Sequence, residues 1–133
     1  MNKETSIREP RNENKRLTFF FSQQLKEWKT ARYRFKDLKK VKTKKITCRE
    51  NTLEVQFNPA RMVSTGAKID KKSLAKRPCF LCAKNRPQEQ IFIRLDKDFD
   101  LLVNPFPILP MHFTIAAQQH QPQNILPNYT EIH

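Results

Sequence analysis

The stretch Gln90–His120 reads QIFIRLDKDFDLLVNPFPILPMHFTIAAQQH and contains three apolar runs, QIFIRL, DLLV and HFTIAA. Short runs rich in Phe, Ile, Leu and Val are typical of β-strands. The prolines of NPFPILP cannot lie inside a central strand, so they indicate a turn between the second and third runs. This stretch therefore predicts three strands of an antiparallel sheet.

The residues before and after this stretch predict further local elements. Leu17–Phe35 has apolar residues at spacings of three and four, which predicts one amphipathic helix. In Val41–Pro59, side chains of strand-forming type alternate along the chain before and after a polar turn at residues 49–52, which predicts a β-hairpin. Asp70 is suited to cap a short helical turn, and Pro122 to open a short final helix. The elements together predict an α+β fold.

A chain of 133 residues has room for one domain with a modest core. Residues 1–15 are polar, mixed in charge and without hydrophobic periodicity, which predicts a flexible N-terminal arm. The domain itself is predicted to span residues 16–133. The single glycine disfavours folds that need glycine-rich phosphate loops.

The formal net charge of +13 indicates an affinity for polyanions, such as nucleic acids or phosphorylated molecules. Positive charge is concentrated in residues 15–77 and is densest in the run KDLKKVKTKK, Lys36–Lys45. No uninterrupted apolar span is long enough to cross a bilayer, and the charged N-terminus lacks the apolar core of a signal peptide. These features predict a cytoplasmic protein with reduced thiols and no membrane partner.

Cys79 and Cys82 lie two residues apart in the stretch RPCFLCAKNRP. Two thiolates at this spacing suit a tetrahedral zinc ion, but they also fit a redox pair or two inert buried thiols. The strand prediction places His112 and His120 at opposite ends of one strand, too far apart to share an ion. The other donors available to a metal are Cys48, His112, His120 and His133.

The segments CFLCAKN and DKDFDLLVNPFPILPMHFTIAAQQHQPQ, and more weakly FNPARMVSTGAK, resemble the HIT-like superfamily. The similarity is to the N-terminal half of galactose-1-phosphate uridylyltransferase and to nucleoside-diphosphate-hexose and dinucleoside-polyphosphate phosphorylases. It is greatest for uncharacterised bacterial proteins with comparable NPAR and CFLC motifs. The resemblance covers residues 53–124 and implies a HIT-like antiparallel sheet with flanking helices, incomplete at its C-terminus.

The resemblance also implies a structural zinc site. Cys79 and Cys82 match the zinc-binding pair of the uridylyltransferase, and His120 matches its third ligand. The fourth ligand of that enzyme comes from a later region, so no fourth ligand is identified here. His112 matches a histidine that commonly precedes the strand, and we assign it no catalytic role.

Four further residues are implied to bind a nucleotide. Arg61 matches an arginine near the substrate phosphates, with which a guanidinium can form a bidentate pair. Asp98 and Phe99 match an Asp-Phe pair that holds the nucleoside, and Asn104 is a weaker candidate for the same pocket. Without the resemblance, Arg61 is equally a solvated surface charge, and Phe99 is a core residue.

Relatives of this kind react through a histidine in an H-x-H-x-H or H-x-H-x-Q motif, which this sequence lacks. The resemblance therefore predicts the N-terminal portion of a nucleotidyltransferase or phosphorylase that acts on a nucleotide sugar or dinucleoside polyphosphate. Such a chain is expected to bind nucleotide weakly, to be inactive alone and to be able to form a homodimer. The alternative is a zinc-stabilised basic module that binds nucleic acid or another protein.

Overall fold

The computed structural model describes residues 12–122. Within them the fold is α+β, with helices and two antiparallel sheets. The helices are α1 Glu13–Glu27, α2 Lys29–Asp37, α3 Met62–Thr65 and α4 Lys71–Lys76. The strands are β1 Lys42–Cys48, β2 Asn51–Phe57, β3 Phe92–Arg94, β4 Phe99–Val103 and β5 Phe113–Ala117. Short 3₁₀ turns occupy Leu38–Lys40, Pro59–Arg61 and Ala83–Asn85.

The three predicted strands form one antiparallel sheet with β4 at its centre. Leu101 of β4 pairs with Ile93 of β3 and with Ile115 of β5. β4 is almost entirely buried, as the apolar residues Leu101, Leu102 and Val103 indicate for a central strand. The prediction of an antiparallel sheet across Gln90–His120 is confirmed.

The helices cover one face of this sheet. Phe20 of α1 and Phe35 of α2 form a buried cluster with Ile91, Leu101 and Val103. The rings of neighbouring aromatic residues contact edge to face, with Phe21 and Phe35 centroids 4.8 Å apart. This cluster is the larger of the two parts of the core.

The opposite face of the sheet is covered by the loop that carries the two cysteines. Phe92, Leu102 and Ala116 are buried there, and Leu81 packs against them. Because successive residues of β4 point to opposite faces, Leu101 and Leu102 belong to different halves of the core. The sheet thus fixes the position of the cysteine loop.

The single helix predicted over Leu17–Phe35 is wrong, since the chain forms two helices that meet at Trp28. Trp28 has extended backbone angles, φ −118° and ψ 92°, and its side chain is buried. No Pro or Gly marks this position in the sequence. The break changes the direction of the chain while keeping the apolar face of both segments against the sheet.

The predicted hairpin is confirmed as β1 and β2, although its turn comprises only Arg49 and Glu50 rather than residues 49–52. Arg49 has a φ of 54°, in the left-handed region that such short hairpin turns require. Every residue of both strands is exposed. The hairpin therefore projects from the domain.

The predicted cap at Asp70 is also confirmed, because its carboxylate accepts a hydrogen bond from the Ser73 N–H at 3.0 Å. Helix α1 begins at Glu13, so the arm predicted over residues 1–15 is too long at its C-terminal end. The rest of that arm, and the final helix predicted after Pro122, lie outside the described residues. None of the helices formed by residues 12–122 combines the length and apolarity required to cross a membrane.

Gln24 joins helix α1 to the segment before β3. Its fully buried amide accepts a hydrogen bond from the Ile91 N–H and donates one to the Glu89 carbonyl, both at 2.8 Å. Gln24→Ala should lower the free energy of unfolding by about 2–3 kcal/mol, because it leaves both backbone groups without partners. Gln23→Ala on the same helix is the control. Equal denaturation midpoints for the two variants would contradict this role.

Candidate metal centre and adjoining cavity

The cysteine pair lies in a tight loop between α4 and β3. The Cys79 carbonyl accepts hydrogen bonds from the Cys82 N–H at 3.2 Å and from the Asn85 side-chain amide at 2.8 Å. The Cys82 carbonyl accepts one from the Asn85 N–H at 2.9 Å. These bonds fold the loop back on itself and bring the two thiols together.

His120, three residues beyond the end of β5, completes the cluster. Its Nδ1 lies 3.2 Å from the Cys82 Sγ, and the donor atoms of Cys79, Cys82 and His120 all lie within 4.8 Å of one another. Donors on neighbouring corners of a tetrahedral zinc site are about 3.5 Å apart. Two sulfur atoms and one imidazole nitrogen this close together could hold a metal ion, and the three predicted ligands are brought together.

The surroundings of the two thiols shift their pKa values in opposite directions. Burial raises the pKa of Cys79, but the backbone N–H groups of Leu81 and Cys82 and the nearby Arg86 charge bring it below the ordinary value. Burial and the neighbouring Cys79 raise the pKa of Cys82. Cys79 is therefore the more acidic of the two thiols.

The other candidate donors lie elsewhere. Within residues 12–122 the cluster contains three donors. Cys48 is exposed at the turn of the hairpin, and His112 lies at the opposite end of β5 from His120. His133 lies outside the described residues.

Arg86 connects the cysteine loop to the sheet. Its Nε donates to the Leu81 carbonyl at 2.8 Å, and its Nη1 contacts the Asp100 carboxylate of β4 at 3.0 Å. Both side chains are inaccessible to solvent, at 0% and 2% exposure. In the sequence, the only signal for this pair is the carboxylate that begins the otherwise apolar run DLLV.

An apolar cavity of about 290 Å³ lies beside the group of candidate metal donors, between the cysteine loop, helix α2 and the NPFP turn. Phe80 and Leu81, the two residues between the cysteines, form one wall. The remaining lining residues are Trp28, Thr30, Arg34, Pro87, Gln90, Leu102, Val103, Pro105, Phe106 and Thr114. The same loop therefore supplies two of the three candidate metal donors and part of the cavity.

Arg34 is the charged residue of this cavity lining. Its guanidinium stacks on the Phe106 ring, 4.2 Å from the centroid, and donates to the Pro105 carbonyl at 3.2 Å. Burial lowers the pKa of Arg34. Nothing in the sequence distinguishes Arg34 from the other basic residues of helix α2.

Arg61 lies near His112, at the NPFP end of β5. Its Nε is buried and has no hydrogen-bond partner among the described residues. Burial and the Arg61 charge lower the pKa of His112, whose Nδ1 accepts a hydrogen bond from the Ile108 N–H at 3.3 Å. Arg61 is thus not simply a solvated charge.

Asn104 lies at this same end, where its N–H donates to the His112 carbonyl at 2.8 Å. Its side chain accepts from the Phe106 N–H and donates to the Thr114 hydroxyl, so it shapes one edge of the cavity.

Asp98 and Phe99 lie at the other end of the sheet, about 13 Å from Val103 along β4. Phe99 is 43% exposed and lines a hollow of about 210 Å³ with the two cysteines and His120. The four residues predicted to bind nucleotide are therefore divided between the two ends of β4 and β5. Arg61 and Asn104 lie near the NPFP turn, whereas Asp98 and Phe99 lie near the candidate metal donors.

The fold and this site define an α+β domain with a candidate metal centre beside an apolar cavity. Residues 20–133 match a family described as "Domain of unknown function (DUF4922)". Because the match covers most of the chain, the protein belongs to this family. No curated protein and no solved structure matches the sequence.

Proposed function

We propose that the chain is the nucleotide-binding portion of a HIT-like nucleotidyltransferase or phosphorylase that acts on a nucleotide sugar or dinucleoside polyphosphate. The observation that carries this proposal is the aromatic cavity beside Asn104, with arginines at and near it. Zinc held by Cys79, Cys82 and His120 has a structural role in this proposal: it fixes the loop that walls the cavity.

The cavity suits a nucleobase. Trp28, Phe80 and Phe106 present aromatic surface, and the polar lining includes the Gln90 amide and the Thr114 hydroxyl. Its volume is near the lower end of the range of about 300–1,000 Å³ usual for small-molecule pockets. A planar heterocycle is the part of a nucleotide that such a site can enclose, since ribose and phosphates are strongly hydrated.

The arginines suit the phosphates. Arg34 lines the cavity, and the unpartnered Nε of Arg61 provides a donor near the NPFP turn. Guanidinium groups bind phosphate oxygens through paired hydrogen bonds, and partial burial strengthens them. Asp98 and Phe99 remain predicted nucleoside contacts at the other end of β4, whereas Asn104 hydrogen-bonds to two residues of the cavity lining, Phe106 and Thr114.

The described histidines do not form a nucleophile site. The Nδ1 of His112 accepts a backbone hydrogen bond, and His120 belongs to the metal cluster. Zinc, when bound, would link the cysteine loop to His120, just beyond the end of β5. We expect binding without turnover from this chain.

Trp28, the single tryptophan of the chain, lines the cavity and provides a direct test. UDP or GDP should quench its fluorescence in a saturable way, whereas inorganic phosphate should not. Arg34→Met should weaken binding about tenfold to one hundredfold, because it removes a charged partner and its stacking on Phe106.

Arg32→Met, an exposed position on the same helix, is the matched control and should bind like the unaltered chain. The proposal fails if millimolar nucleotide leaves Trp28 fluorescence unchanged. It also fails if the two arginine variants lose affinity equally, because binding would then depend on net charge alone.

A further inference from the structure

One face of the β1–β2 hairpin combines apolar and basic side chains. The strand register pairs Lys42 with Phe57, Lys44 with Val55 and Ile46 with Leu53, and paired residues share a face. We call these six residues the basic hairpin face. Phe57 is 64% exposed and Val55 50% exposed, so the apolar part of this face has no covering among residues 12–122.

Charges are distributed unequally between the two faces of the hairpin. The carboxylate of β2, Glu54, lies on the opposite face, directly across from Lys45. The basic hairpin face has no carboxylate, and within the described chain neither Lys42 nor Lys44 has an ion-pair partner. Its positive charges are therefore available to an external anion.

The attachment of the hairpin leaves this face outward. Gln56 donates to the Ile108 carbonyl at 3.2 Å, and Asn58 donates to the Pro107 carbonyl at 3.4 Å. Gln56 belongs to the opposite face, because side chains alternate along a strand. The hairpin thus contacts the NPFPILP turn through its other side.

We propose that the basic hairpin face binds single-stranded nucleic acid. Lysines two residues apart on one face can contact the phosphate backbone, while Phe57 and its apolar neighbours provide surface on which unpaired bases stack. A duplex hides its base faces, so it would use only the lysines. The lysine-rich β1 edge also disfavours pairing with a second copy, which would bring like charges together.

Fluorescence anisotropy of a labelled mixed-sequence RNA oligonucleotide, measured over a range of salt concentrations, tests this proposal on the full chain. Lys42→Gln/Lys44→Gln should weaken binding at least tenfold and reduce the slope of log K against log salt by about 1.4. Lys71→Gln/Lys72→Gln removes two exposed lysines of α4 and should have less than a twofold effect. Phe57→Ser should weaken binding about tenfold, whereas Phe19→Ser, which alters another exposed ring, on α1, should not.

Three results would overturn the proposal. Equal losses in the two lysine pairs would show that the total charge alone matters. Competition by polyglutamate as effective as by unlabelled RNA would indicate an acidic protein partner. A dimer in sedimentation that Phe57→Ser dissociates, without oligonucleotide binding, would assign the face to a second copy. Denaturation midpoints should match for all variants, since the substituted side chains are exposed.

Discussion

Asp100→Asn should lower the free energy of unfolding by about 3–5 kcal/mol, because it leaves the buried Arg86 charge without its counter-ion. The Nη2 of Arg86 is already buried without a partner among the described residues. No described neighbour is therefore placed to replace the lost ion pair with another contact to this guanidinium. Urea denaturation followed by circular dichroism measures the change.

Two further variants separate the contribution of the buried Arg86–Asp100 pair to stability from that of Arg94. Arg94, the second ion-pair partner of Asp100, has a side chain that is 44% exposed. Arg94→Met should therefore lower the free energy of unfolding by less than about 1 kcal/mol. Arg86→Met/Asp100→Leu removes both buried charges and should recover much of the lost stability. An Asp100→Asn variant as stable as Arg94→Met would show that the pair does not hold the cysteine loop to β4.

Cys79→Ser should abolish the stabilisation that zinc gives to the protein. Zinc at a thousandfold excess over its dissociation constant adds about 4 kcal/mol, and removing it by chelation should lower Tm by about 10 °C or more. The variant should have a low Tm that responds to neither zinc nor chelator. Differential scanning fluorimetry with and without a chelator measures both effects.

Cys48→Ser is the control for this experiment, because Cys48 is exposed on the hairpin and outside the cluster. It should respond to zinc as the unaltered chain does. If chelation leaves the Tm of the unaltered chain unchanged, the cysteines are inert or form a redox pair instead. Those are the two interpretations that the Cys79-x-x-Cys82 spacing alone left open.

The features that the sequence predicted are those with a local signal. Alternating side chains predicted the hairpin, and apolar runs bounded by prolines predicted the three-stranded sheet. The Asp70 cap depends on residues only three positions apart. The break at Trp28 had no such signal, because burial of its ring among distant residues decides the backbone there.

The candidate site was predicted only in part for the same reason. The resemblance supplied Cys79, Cys82 and His120, which the structure brings together from segments 38 residues apart. Arg34 and Arg86 gain their roles from contacts with the NPFP turn and with β4, which no local pattern records. The function in nucleotide binding remains a proposal.

The most direct measurement is a nuclear magnetic resonance titration of the zinc-loaded chain with a nucleoside diphosphate. Our account predicts saturable shifts of the Trp28 indole and of the amides of Phe80, Phe106 and Thr114, which share the cavity. Shifts confined to the lysines of the hairpin, or no shifts at millimolar nucleotide, would contradict it.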